Sequence, residues 1–115
     1  MKVALVVADP ATPDSMVTDQ RESLTAAGGE PTLVDLRRWA PAPSSGPLPW
    51  RAVRAVVGPW WAARGLRGDD AATVDGADLV VAGDRFAVPA VWRRRRHTGA
   101  TLVHGIPAAL RELAG

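Results

Sequence analysis

The chain has 115 residues, 47% hydrophobic and 23% charged, the balance of one compact soluble domain large enough to bury a core unaided. It contains no cysteine, which excludes a disulfide scaffold, cysteine-ligated zinc, an iron–sulfur cluster and a thiolate nucleophile. Fourteen basic residues against twelve acidic ones leave a formal charge of +2, and thirteen of the basic residues are arginines that hardly titrate, so the basic character is weak evidence for nucleic acid.

In chain order, the first element is Lys2-Val-Ala-Leu-Val-Val-Ala8, an apolar run without alternation. That is the pattern of a strand buried on both faces in the middle of a parallel sheet. The run is too short for the core of a signal peptide, and no stretch approaches membrane-spanning length, so the expected compartment is the cytoplasm. Asp9-Pro-Ala-Thr-Pro-Asp14 breaks the strand. Asp14 or Ser15 is then expected to cap a helix whose inward stripe is Val17, Leu24 and Ala27. Gly28-Gly29 supplies the left-handed residue that ends it, and Thr32 to Leu36 reads as a second strand. Together these segments make a right-handed βαβ unit.

Residues 40–49, APAPSSGPLP, carry four prolines and one glycine and read as an extended loop within a single 1–115 domain. Helical spacing follows from Trp50 to Val57, and Pro59 opens a second short helix through Trp60, Trp61 and Ala63. Ala71 to Gly76 is ambiguous and reads as a single helical turn. Ala77 to Ala82 is the third strand, followed by Gly83-Asp84-Arg85. The next helix has Asp84 near its start, Pro89 in its first turn and Val88, Val91 and Trp92 facing inward. Arg93 to Arg96 crowd its negative end, and Thr98-Gly99 stops it. Ala100 to His104 is the fourth strand, and Gly105 leads into an amphipathic helix with Ile106, Leu110 and Leu113 inward. Strands alternating with helices define an α/β class with a four-stranded parallel sheet. The simplest doubly wound solution is a three-layer, Rossmann-like or flavodoxin-like fold of order 2-1-3-4, with helices on both faces and a switch point between strands one and three.

Two stretches carry a resemblance. Residues 2–36, with Asp14-Ser-Met-Val17, Leu24-Thr-Ala-Ala-Gly28 and Thr32-Leu-Val34, resemble the opening of retaining GT-B glycosyltransferases of the family-4 type. Asp78-Leu-Val-Val-Ala-Gly-Asp84, Ala87-Val-Pro-Ala90 and Thr98-Gly-Ala-Thr-Leu-Val103 are similar to a later stretch of the same N-terminal domain. The resemblance implies a shortened, degenerate form of the acceptor-side Rossmann-like domain. Its nucleotide-sugar donor would be present only if a partner chain brought the donor domain. Met16 stands where the family has Arg, and Val81 and Gly83 stand where it has His, while Asp84 keeps the acidic position. Asp9-Pro10-Ala11-Thr12 replaces a glycine-rich turn. These departures imply a stand-alone, non-catalytic binding or interaction module. The alternatives are one subunit of a two-chain glycosyltransferase and a small nucleotide- or phosphate-binding flavodoxin-like protein.

Ligands of open parallel sheets bind at the carboxyl ends of the strands. The candidate small-molecule contacts there are Asp9, Thr12, Gly83, Asp84, Arg85 and His104. Asp84 and His104 are the candidates for a general base and its orienting partner. The simpler alternative makes Asp84 a helix cap and His104 a half-buried strand end. No metal site is expected. Four consecutive helical residues span about 300°, so Arg93 to Arg96 cannot all point one way and read as a solvated helix end, not a nucleic-acid patch. Five tryptophans in a chain with one Phe and no Tyr are the unusual feature. Trp92 reads as core, and Trp39 and Trp50 flank the proline-rich loop. Trp60 and Trp61 are neighbours pointing about 100° apart, so at least one is expected to be exposed or to cover a second copy or a second chain.

Overall fold

A run of apolar residues with no polar face can settle only where both its faces are covered. The computed structural model, which describes residues 1–9, 11–37, 66–95 and 98–114, places it there. β1 (Lys2–Val7) is an inner strand, and Val3 through Ala8 are all buried. It pairs in parallel with β2 (Glu30–Asp35) on one side and β3 (Leu79–Ala82) on the other, and β3 pairs in parallel with β4 (Thr101–His104). The four-stranded sheet has the order β2-β1-β3-β4. In register, Val6 lies beside Val34 and Ala82, and Val81 lies beside Val103.

Successive side chains of a strand leave opposite faces, so one sheet builds two cores. Val3, Leu5, Val7, Leu79 and Val81 pack against α1 (Asp14–Ala26) and α4 (Ile106–Ala114). Ala4, Val6, Val34, Val80 and Ala82 pack against α2 (Asp69–Gly76) and α3 (Ala87–Arg93). The result is the three-layer α/β arrangement with helices on both faces that the sequence pattern predicts. No helix among the described residues is long and apolar enough to cross a membrane.

Local chemistry sets the helix ends. Pro13 occupies the N-cap of α1 and has no polar side chain to offer, so no side chain caps the helix; Asp14 is its first residue, with its carboxylate 2.8 Å from Arg37 Nη1. Gly28, at φ 94°, ends α1, with its N–H donating to Thr25 O and that of Gly29 to Leu24 O. Ala27 lies beyond the last turn and is exposed, so the buried stripe of α1 is Val17 and Leu24 alone. α2 is longer than a single turn, and Ala71 and Val74 are its buried residues. α3 presents Ala87, Ala90 and Val91 inward, and these small side chains let it lie close to the sheet. Trp92 is one position round the helix from Val91 and is 52% exposed, not core, with the Arg95 guanidinium 5.9 Å from its ring. Arg94 turns away from solvent to pair with Asp75 of α2, and Thr98 Oγ1 donates to Val74 O, so the basic run is split between two environments. The proline-rich loop 40–49, the helices expected over 50–57 and 59–63, Trp39, Trp50, Trp60, Trp61, Arg96 and His97 lie outside the described residues.

Candidate functional site

The order β2-β1-β3-β4 sends the chain leaving β1 to one face of the sheet and the chain leaving β3 to the other. Their two turns therefore separate at the carboxyl edge, which is where an open α/β sheet forms a crevice. Asp9 and Thr12 stand on the turn after β1, Gly83, Asp84 and Arg85 on the turn after β3, and His104 at the end of β4.

Asp84 draws the first two turns together. Its Oδ2 accepts from Ala8 N at 3.0 Å, Asp9 N at 3.0 Å and Thr12 Oγ1 at 3.1 Å, and its Oδ1 accepts from Ala87 N at 2.9 Å at the start of α3. A carboxylate offers about four acceptor positions, two on each oxygen, so Oδ2 is fully engaged by its three donors and Oδ1 is engaged by one. The turn after β1 is itself shaped by Asp9, whose Oδ1 accepts from Ala11 N at 2.9 Å while its carbonyl accepts from Thr12 N at 2.9 Å. Gly83 is required by close packing: a Cβ there would lie 2.9 Å from Val7 Cγ1 and 3.1 Å from Gln20 Oε1.

The remaining candidates stay apart. His104 is exposed, and its side chain makes no hydrogen bond or ion pair among the described residues. All four hydrogen bonds of Asp84 go elsewhere, so the Asp–His pair is not assembled. Arg85 is exposed and lies over Phe86, with its guanidinium carbon 5.8 Å from the ring centroid.

Two residues that sequence reasoning missed hold this edge together. Gln20 Nε2 donates to Gly83 O at 3.0 Å, and its Oε1 is buried without a partner among the described residues. The signal was its place on the stripe of Val17 and Leu24, at helical spacing. Arg37 Nε and Nη2 donate to the two oxygens of Asp35 at 3.0 and 2.8 Å, while Nη1 donates to Thr12 O at 2.9 Å. Hydrogen bonding to Asp35 raises the Arg37 pKa above its ordinary value, against the opposing effect of burial, and Asp14 adds to the rise. Nothing in the local sequence marks a strand-end arginine for that role.

The crevice thus brings Asp9, Thr12, Gly83 and Asp84 together, with the backbone donors of Ala8, Asp9 and Ala87 turned on an internal carboxylate. An open depression of about 570 Å³ lies at the other end of the sheet, beside Lys2, Glu30, Thr32 and Thr73, far in the fold from these groups. No cluster of three or more potential metal ligands occurs among the described residues. No protein-family model, curated protein or solved structure matches the chain.

Proposed function

We propose that the chain is a non-catalytic binding and interaction domain, of the acceptor-side glycosyltransferase type that its sequence resembles. The reading is carried by the state of Asp84. Its carboxylate is held by four protein donors, three of them on Oδ2, so most of its acceptor capacity is taken up inside the protein. His104 is not joined to it, which leaves the one acid–base pair offered by the strand ends unformed. The same geometry disfavours a phosphate-binding turn, because the amides of Ala8 and Asp9 already point at an anion. In this reading the domain works in the cytoplasm as a homo-oligomer or beside a second chain, and Trp60 and Trp61 make the contact.

The test combines catalysis with association. The purified chain, given UDP-glucose and a panel of other nucleotide sugars, is expected to show neither calorimetric binding nor hydrolysis or transfer. Sedimentation velocity over rising concentration is expected to show self-association that the double substitution Trp60→Ala and Trp61→Ala weakens. Sugar transfer by the isolated chain would overturn the reading. Transfer that begins only when a second polypeptide is added would establish the two-chain enzyme in its place.

A further inference from the structure

We infer that the open edge of β4 is an interface at which two copies of the chain join their sheets, strand to strand and antiparallel, about a two-fold axis at Val103. Among the described residues β4 pairs with β3 alone, so its other side is an edge. Thr101 N donates to Asp78 O and Gly105 N to Ala82 O, which turns the odd-numbered residues of the strand toward β3. The N–H and C=O of one residue leave a strand on the same side, and the side alternates along the chain. Those of Leu102 and His104 therefore point outward, and no other segment among the described residues takes them up. The apolar layers run out at the same place. β3 is buried along its whole length, whereas Leu102 and Val103 are only half-buried, although Leu102 packs on the core beneath α2 and α3 and Val103 on that beneath α1 and α4. An added strand covers both residues and also satisfies the outward donors and acceptors, where a helix does only the first.

The sequence of the edge selects a second copy as that strand. Its outward row is self-complementary: in an antiparallel pair centred on Val103, Leu102 exchanges both its backbone bonds with the partner's His104, and His104 with the partner's Leu102. The strand contains no Asp, Glu, Lys, Arg or Pro, the residues that keep an exposed edge from meeting its own kind, so it faces itself without like-charge repulsion. The opposite edge is different. Pro31 leaves a gap in the outward donors of β2, so copies do not add head to tail and the edge contact closes on the two-fold. The axis stands perpendicular to the sheet, so each face of one copy continues into the same face of the other, with Val103 against the partner's Val103. The inference goes beyond the proposed function by adding a surface separate from Trp60 and Trp61, and it rests on the edge geometry alone.

The chain contains no cysteine, so a single introduced thiol reports the register. In the antiparallel pair the two copies of Val103 stand directly opposite without bonding to one another, with Cα atoms about 4.5 Å apart, inside the disulfide range. Position 101 lies opposite position 105 of the partner, which holds the two copies of Thr101 about 13 Å apart or more. Val103→Cys and Thr101→Cys are each oxidised with diamide and read by non-reducing electrophoresis. Val103→Cys is expected to form the disulfide dimer about 10-fold faster or more, although Thr101 is the more exposed of the two. His104→Pro removes an outward N–H from each copy and leaves the ladder to β3 intact, because that N–H faces away from it. Sedimentation velocity is expected to show dimer formation by the unsubstituted chain, weakened about 10-fold or more in His104→Pro. Where far-UV circular dichroism shows that His104→Pro does not fold, the two cysteine variants decide alone. The inference is overturned by a chain that stays monomeric at millimolar concentration, by equal cross-linking at the two positions, or by association that a folded His104→Pro leaves unchanged. Association lost with Trp60→Ala and Trp61→Ala but unaltered in His104→Pro upholds the tryptophan contact and overturns the β4 interface. The reverse pattern upholds the β4 interface and removes the tryptophan contact.

Discussion

Beneath the crevice, one carbon atom separates a tolerated residue from a damaging one. An alanine Cβ at position 83 would stand 2.9 Å from Val7 Cγ1 and 3.2 Å from Leu5 Cδ1, and both of those side chains are fully buried. Neither can swing into solvent, so the strain must move the turn after β3, which carries Asp84. Gly83→Ala is expected to cost about 1–3 kcal/mol, the usual penalty of overpacking. Gly76 is its control: it ends α2, and a Cβ there would meet nothing within 4 Å. Gly76→Ala is expected to be neutral or to stabilise by up to ~1 kcal/mol, since alanine restricts the unfolded chain and suits a helix. Urea unfolding of the two variants beside the unsubstituted chain reads both effects, and equal midpoints would refute the packing argument. Gly83 was legible as a strand-end residue from its place after Leu79–Ala82, but its need to be glycine was not, because the atoms that crowd it come from β1 and α1.

Elements are held in register here by side chains at their ends as much as by the ladder between them. Among the described residues β2 is an edge strand; Glu30 N donates to Met1 O and Leu36 N to Val7 O, so its even-numbered residues turn inward and Pro31 faces out. Having no N–H to offer, Pro31 removes one donor from the exposed row, a common way of blunting an edge. At the other end of β2, Arg37 binds Asp35 through two parallel hydrogen bonds and reaches Thr12 O and Asp14, tying the strand to the turn that begins α1. Asp14 is 89% exposed and adds little, so the bonds to Asp35 and Thr12 carry the tie. Lysine presents a single ammonium and cannot reproduce that planar fork. Arg37→Lys is therefore expected to lose about 1–3 kcal/mol, measured by urea unfolding. The pH dependence of that loss follows from the raised Arg37 pKa: a cation favoured by folding contributes fully at every pH below its unfolded value and loses that contribution only above it. Arginine and lysine both stay charged from neutral pH to about pH 9, so the difference between the two proteins is expected to be flat across that range. A difference that shrinks as pH rises from 7 to 9 would assign the effect to another group.

Across the whole molecule, what the sequence makes legible is what repeats along it. Four strand-like runs alternating with helices predict the parallel sheet, and the two fully apolar runs, β1 and β3, suit its two inner positions in the simplest doubly wound order, β2-β1-β3-β4. The carboxylate of Asp84 is legible as a helix cap, and it does accept from Ala87 N, yet its bonds to Ala8, Asp9 and Thr12 join segments that only the finished sheet makes neighbours. Trp92 was misjudged for a related reason: Val88, Val91 and Trp92 satisfy a helical pattern, and Val88 and Val91 do pack on the core, but the inward face continues through Ala87 and Ala90 and leaves Trp92 outside. The same architecture yields a prediction about how stability is divided. Val17 of α1 and Val74 of α2 are both buried, but they belong to separate clusters on opposite faces of one sheet and share no packing partner within them. Shortening either to alanine is expected to cost about 1–3 kcal/mol through lost burial and the small cavity left behind. Because a close-packed sheet lies between them, the double variant is expected to lose the sum of the two costs to within about 0.5 kcal/mol. Urea unfolding of the four proteins, with an unchanged dependence on denaturant, completes the cycle. A coupling above ~1 kcal/mol would mean that β1 and β3 shift when one face is loosened, so that the two cores behave as one.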